Sequence, residues 1–175
     1  GIPVNSYIDS KTSDTEFELN TNVGLTAGTV TMTFSGAIAS NDNTFIGKDV
    51  GGGVWTYKES SHNTAVGSLS MDDTMDSAHQ NSAFGYASLS DLTTGDYNTA
   101  IGGYALKANE SGEQNTAVGY LAGQSTTSGD YNTAIGRGAL YTNSTADANT
   151  ALGFESLYTY AGAANTAVGY HASKL

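Results

Sequence analysis

The chain has 175 residues, of which 17 are acidic and 6 basic, for a net charge of −11. Leu, Ile, Val and Phe number only 30, Gly numbers 22, Pro occurs once and Cys is absent. These counts exclude a membrane helix, a basic nucleic-acid or anionic-lipid surface, a disulfide framework, a thiolate zinc site and a cysteine nucleophile. The low apolar content with high net charge would ordinarily mark disorder, and the reason it does not is a repeat. The start at Gly1 rather than Met predicts a chain processed or cut from something longer.

In chain order, residues 1–40 come first and lack the repeat. Thr29 to Phe34 alternates polar and apolar residues, as a half-buried strand does, and Phe17 with Leu19 marks a second strand. This segment is expected to be a β cap or linker, or a strand exchanged between subunits. From residue 41 to 175 the chain becomes repetitive. Asn-Thr-Ala-apolar-Gly begins at Asn43, Asn63, Asn81, Asn98, Asn115, Asn132, Asn149 and Asn165, with spacings of 20, 18, 17, 17, 17, 17 and 16. The apolar position is Ile46, Val66, Phe84, Ile101, Val118, Ile135, Leu152 and Val168; in most copies a small residue follows the Gly by three, and often a Leu by four.

A period of 17 is too short for a helical hairpin, and Gly, Thr and Asn disfavour helix. Two short strands and two turns per copy predict an all-β fold: a parallel β-roll or β-solenoid of about eight coils of 16–20 residues. Coils stacked ~4.8 Å apart give a rod section ~35–40 Å long. Side chains alternate along a strand, so Thr and the apolar residue share one face and Ala and Gly the other. The apolar column, with the Leu column across the coil, is expected to fill the interior. The Ala/Gly face, with Ala65, Gly67, Ala100, Gly102, Ala117, Gly119, Ala134 and Gly136, is expected to press on a neighbouring backbone, which only small residues permit. Two large apolar side chains per coil are a thin core against the ordering cost of 17 residues. A side-by-side homotrimer is the expected remedy. The Asn column is expected to mark the turn into each strand and to form an amide ladder.

Residues 165–172 (Asn-Thr-Ala-Val-Gly-Tyr-His-Ala) and 132–140 (Asn-Thr-Ala-Ile-Gly-Arg-Gly-Ala-Leu) resemble the head repeats of trimeric autotransporter adhesins and related bacteriophage tail-fibre repeats. The resemblance covers about residues 41–175. It implies a left-handed parallel β-roll packed as a trimer, and an extracellular setting on a virion tail fibre or a bacterial surface. It further implies an adhesive role, a rod presenting a surface to a host glycan or protein. The adhesin heads commonly use shorter repeats, near 14 residues, and the longer period here is closer to the fibre type.

Candidate contact residues are aromatic. Trp55 and Tyr57 lie in the longest interval, beside Gly51 to Gly53; Tyr86, Tyr120 and Tyr170 follow the repeat Gly. Exposed rings stack on sugars, and they also cover coil edges. Asp96, Glu113, Asp130 and Asp147 form an acidic column two residues before Asn. Like charges ~5 Å apart repel, so this column either binds a cation such as Ca²⁺ or is a solvated edge. No other cofactor is expected. His62, His79 and His171 share no column, Asp72, Asp73 and Asp76 read as a solvated loop, and no catalytic spacing is present, so no enzyme is expected. A structural shaft or self-assembling filament is the first alternative function. Ice binding is the second, disfavoured by the expectation that Thr shares its face with the core. The terminal Ser173, Lys174 and Leu175 match a peroxisomal address, although they also align with the eighth copy stopping midway.

Overall fold

A computed structural model describes residues 8–13, 16–19, 43–51, 60–159 and 161–174, and divides the chain into two compact units, Gly1–Asn41 and Asp42–Leu175. In the first unit β1 (Ile8–Ser13) pairs antiparallel with β2 (Glu16–Leu19), which carries Phe17 and Leu19. The strand expected over Thr29 to Phe34 lies outside the described residues.

In the second unit each Asn-Thr-Ala copy supplies one three-residue strand. These are β3 (Thr44–Ile46), β4 (Thr64–Val66), β5 (Ser82–Phe84), β6 (Thr99–Ile101), β7 (Thr116–Val118), β8 (Thr133–Ile135), β9 (Thr150–Leu152) and β10 (Thr166–Val168). They form one eight-stranded sheet in sequential order, every pair parallel and in register, Thr on Thr (Ser82 in β5), Ala on Ala (Phe45 in β3) and apolar on apolar. Sequential parallel strands of one sheet, one per repeat, are a β-solenoid, as the period predicts. The second strand expected in each coil does not form. Its place, among the described residues, is taken by turns in which every second residue has a positive φ yet still bonds to the coils on either side. Tyr104 (φ 59°) donates its N–H back to the Tyr86 carbonyl, and Leu106 (φ 47°) donates forward to that of Ala122.

The coil interior is thin and half polar. It holds the strand Ala of each copy from Ala65 to Ala167, the column Met71, Leu89, Leu106, Leu140 and Leu157, and the Asn of each copy from Asn63 to Asn149. The Asn amides form the expected ladder, and several use both ends in full. Asn98 donates its backbone N–H and its Nδ2 to the Asn81 Oδ1 at 2.8 and 3.1 Å, and its Nδ2 to the Gly112 carbonyl at 2.7 Å. A buried amide so satisfied escapes the desolvation cost that would otherwise exclude it. The unusual dihedral belongs to the residue before the Asn, positive in seven copies, as in Tyr97 (φ 58°) and Ala148 (φ 57°). The Asn itself is selected for its two-ended amide.

The sense of the strand faces is opposite to that expected. Ala100, Ala117 and Ala151 are wholly buried inside the coil, whereas Ile101 and Leu152 point outward and are each 43% exposed. The alternation holds, but size decides which face turns in. The Leu column reaches across the coil, and a Cβ placed on Gly123 would lie 3.0 Å from Leu106 Cδ2 and 3.8 Å from Ala117 Cβ. A methyl fills the remaining space, and an isoleucine would not fit. The Ala residues expected at a trimer interface, Ala65, Ala100, Ala117 and Ala134, are therefore core residues of a single coil. The Gly column does press on a backbone, but on that of the next coil of the same chain. A Cβ on Gly67, Gly102, Gly119 or Gly136 would come within 2.3–2.7 Å of the following repeat Gly's carbonyl oxygen.

Candidate functional site

Turning the strand faces over leaves the solenoid with an uncharged outer strip, where Thr and an apolar side chain repeat coil after coil. Ile46, Phe84, Ile101, Ile135, Leu152 and Val168 are 38–64% exposed there. Rings flank the strip, as a column after the Gly and as two separate tyrosines before the Asn. Before the Asn stand Tyr97 and Tyr131, and after the Gly stand Tyr86, Tyr120, Phe154 and Tyr170, all exposed.

The rings after the Gly contact one another along the rod. Tyr104, three residues after Ile101, bridges Tyr86 and Tyr120 edge to face, with centroids 5.2 and 6.0 Å away. Arg137 holds the same column one coil later, its Cζ 6.0 Å from the Tyr120 ring and 5.2 Å from that of Phe154. Phe154 stacks on Tyr170 at 5.3 Å. Cation and ring contacts of this kind are individually weak, and here they form a continuous ladder. Of the aromatic candidates, the structure brings Tyr86, Tyr120 and Tyr170 to one edge, and Trp55 and Tyr57 lie outside the described residues. Tyr104 and Arg137 were missed because their copies place them where most copies carry something else. The signal that would have found them is their position one or two residues after the repeat Gly.

Beside the Tyr86–Tyr104 pair lies an open groove of about 410 Å³, lined by Asp72, Asp73, Ser90, Asp91 and Lys107 among others. Lys107 Nζ pairs with Asp91 at 3.0 Å. Partial removal from water, with Asp49, Asp73 and Asp91 nearby, raises the Asp72 carboxyl above its ordinary range. Removal from water and the neighbouring Tyr86 likewise push the Tyr104 phenol up. The Asp72–Asp73 pair lines this open groove, with Asp73 exposed to solvent.

The acidic column has structural work along the coil edge. Asp96 Oδ1 accepts the His79 N–H at 2.6 Å, Asp130 that of Glu113 at 2.7 Å, and Asp147 that of Asp130 at 2.9 Å. Each of these carboxylates caps a backbone donor of the preceding coil. Among the described residues, no three His, Asp or Glu side chains converge so as to hold a metal ion. Two of the three histidines, which share no column in the sequence, meet at one hydroxyl: His79 Nδ1 and His62 Nδ1 both lie within hydrogen-bond distance of Ser61 Oγ, while His171 sits apart, 3.2 Å from Glu155. Glu155 also pairs with Arg137 and Lys174, and the Lys174 ammonium foremost holds its carboxyl below the ordinary range. No helix of the described residues is long and apolar enough to cross a membrane.

Compared with protein-family models, curated proteins and solved structures, the chain matches none.

Proposed function

We propose that this chain is a segment of an extracellular fibre or adhesin head, a rigid homotrimeric rod that presents a surface to a host glycan or protein receptor. The observation that carries this reading is the uninterrupted in-register stack of eight strands. Interior amide and methyl ladders link every coil to the next, so bending the rod would break bonds in all columns at once. Its setting in this reading is a virion tail fibre or a bacterial surface, in keeping with the resemblance of the repeats. Exposed rings along the rod and the groove beside Tyr86 and Tyr104 are what it would offer a ligand. Three weak contacts, one per copy, would add by avidity. The work is mechanical and recognitional, with no turnover.

Glycan-array and receptor-blot binding by the folded protein tests the reading. Binding that weakens in Tyr120→Ala or Tyr170→Ala supports it. Folded protein that binds no glycan or surface protein, yet forms ordered filaments, favours the structural shaft instead. Release of sugar from a polysaccharide would overturn the non-enzymatic reading.

One observation favours a second reading. The Thr column lies on the outer face, so the objection to ice binding, that Thr lines the core, is gone. Regular outward Thr beside apolar residues on a flat strip could order water. Thermal hysteresis by a monomeric form would favour this reading over the first.

A further inference from the structure

The exposed apolar surface of the solenoid is not scattered. All the exposed large hydrophobic side chains of the described residues fall in one seven-residue window of the repeat, from the residue before the Asn to the one after the Gly. That window is a single continuous face: the strand strip in the middle and the rings at its sides. Scattered surface hydrophobics need no explanation, but a contiguous patch marks a contact.

The charge pattern follows the same boundary. Of the acidic residues described, none lies in the window, whose described charged members are Lys48 and Arg137; Asp42, before Asn43, lies outside the described residues, and Asp96, Glu113, Asp130 and Asp147 border the window on one side. Elsewhere the coils are strongly acidic. Two copies of a chain with net charge −11 repel over most of their surface. The strand strip at the centre of this face is where they can approach without placing carboxylate on carboxylate, with the acidic column left at its edge.

We infer that the outward strand face, centred on Ile101, Val118 and Ile135, is the surface by which copies of this chain pack side by side. The inference rests on the homo-oligomeric reading above and supplies the face it needs, in place of the Ala/Gly columns that the coil interior consumes. Its periodicity identifies the occupant. The Thr and apolar side chains form ridges at the coil spacing, ~4.8 Å, and the surface that matches that spacing along eight coils is another solenoid of the same pitch. The size also fits. Eight coils give about 38 Å of length, and the window spans about 20 Å, so the face offers on the order of 750 Å², near the ~800 Å² per partner of a stable interface. The strand strip forms the dry centre, and the rings form the rim, open to ligands at the seams between copies. Rotation about an axis parallel to the rod keeps each coil level with the same coil of its neighbours and brings a residue to its own counterpart only at the axis, where Val118 is placed.

The chain has no cysteine, which makes single-cysteine probes clean. Val118→Cys puts a thiol at the centre of the face, and Ser144→Cys puts one on an exposed turn away from it. On mild oxidation, Val118→Cys is expected to give a disulfide-linked dimer band on a denaturing gel, and Ser144→Cys none. In parallel, Ile101→Lys with Ile135→Lys is expected to raise the dissociation constant of the assembly about 100-fold or more. Circular dichroism checks that both variants keep the wild-type spectrum. If the lysine pair unfolds, the thiol probe alone decides. Light scattering of the wild type separates the two levels of argument. A mass near 54 kDa, three times 18.0 kDa, supports both the trimer and the face when Val118→Cys cross-links. A 36 kDa dimer that cross-links keeps the face and overturns the trimer. An oligomer in which Val118→Cys fails to cross-link overturns the face and keeps the oligomer. A folded monomer overturns both.

Discussion

Replacing Gly119 by Ala tests the claim that coil stacking, and not turn flexibility, selects the repeat glycine. Gly119 has φ +133°, outside the region that L-residues adopt, and its Cβ would lie 2.7 Å from the Gly136 carbonyl oxygen and 2.8 Å from its carbon. Backbone strain of this kind costs about 1–3 kcal/mol. Forcing a methyl into a packed backbone costs about 1–3 kcal/mol more, because no flexible side chain is there to yield. Gly169 is the internal control. Its φ is +127°, but a Cβ there meets only Ala172 Cβ at 3.9 Å, so Gly169→Ala carries the strain without the clash. The expected losses are about 2–6 kcal/mol for Gly119→Ala and about 1–3 kcal/mol for Gly169→Ala. At about 2–4 °C per kcal/mol for a chain of this size, thermal unfolding followed by circular dichroism should separate the two variants by several degrees. Equal loss in both would refute the stacking argument and leave only the dihedral.

Asn115→Ala removes the acceptor for the Asn132 N–H and Nδ2 and the donor to the Gly129 carbonyl, and should cost about 2–4 kcal/mol in the same unfolding assay. Leu106→Ala hollows the interior and should cost about 2–5 kcal/mol, whereas Ile101→Ala on the outer strip should cost the isolated coil well under half of that. Asp72 is held above its ordinary 3.8, so its ionised form burdens the folded state above that raised value and not below 3.8. Asp72→Asn should accordingly unfold later than wild type at pH 7 and together with it well below pH 3.8. Glu155 is held below its ordinary 4.5, so it stabilises the last coil above 4.5 and that contribution is lost as pH falls through the depressed value. Glu155→Gln should speed exchange of the His171 amide, which bonds the Phe154 carbonyl, at pH 7, with the difference shrinking under acid.

How much of this was legible in the sequence differs from column to column. The period, the parallel register and the Asn amide ladder follow from eight copies of one pattern, because a one-per-coil residue type must meet its own kind. The left-handed columns do not follow. Gly and Asn are the residues that ordinarily signal a positive φ, yet here Leu, Tyr, Ala and Met adopt it, as at Leu106, Tyr104 and Met71. Each costs about 1–2 kcal/mol by itself. The inter-coil hydrogen bonds it permits, such as Leu106 N–H to the Ala122 carbonyl at 3.0 Å, offset it, and a neighbour in the next coil is not a local feature that a turn rule can see. Trimming one such side chain to glycine, as in Ala148→Gly, should therefore leave the fold intact.

The inversion of the strand faces has a more general cause. An apolar column at every fourth position of the motif says that the position is dry, and it does not say whether the dry place lies inside one coil or between two chains. Volume separates the cases. The interior of a coil already filled by Leu106, Asn98 and Ala105 admits a methyl at Ala100 and nothing larger. The larger side chain of Ile101 is left outside, half exposed, in a surface from which the acidic residues are missing. The absence of carboxylates from within the five-residue motif could have been read from the sequence, and it agrees with either placement. Only the cross-section of the coil decides between them, and it moves the expected contact between copies from the small residues to the large ones. That is why the thiol at Val118, and not one at Ala117, is the informative probe: the two are adjacent in sequence, and only the first can reach a second chain.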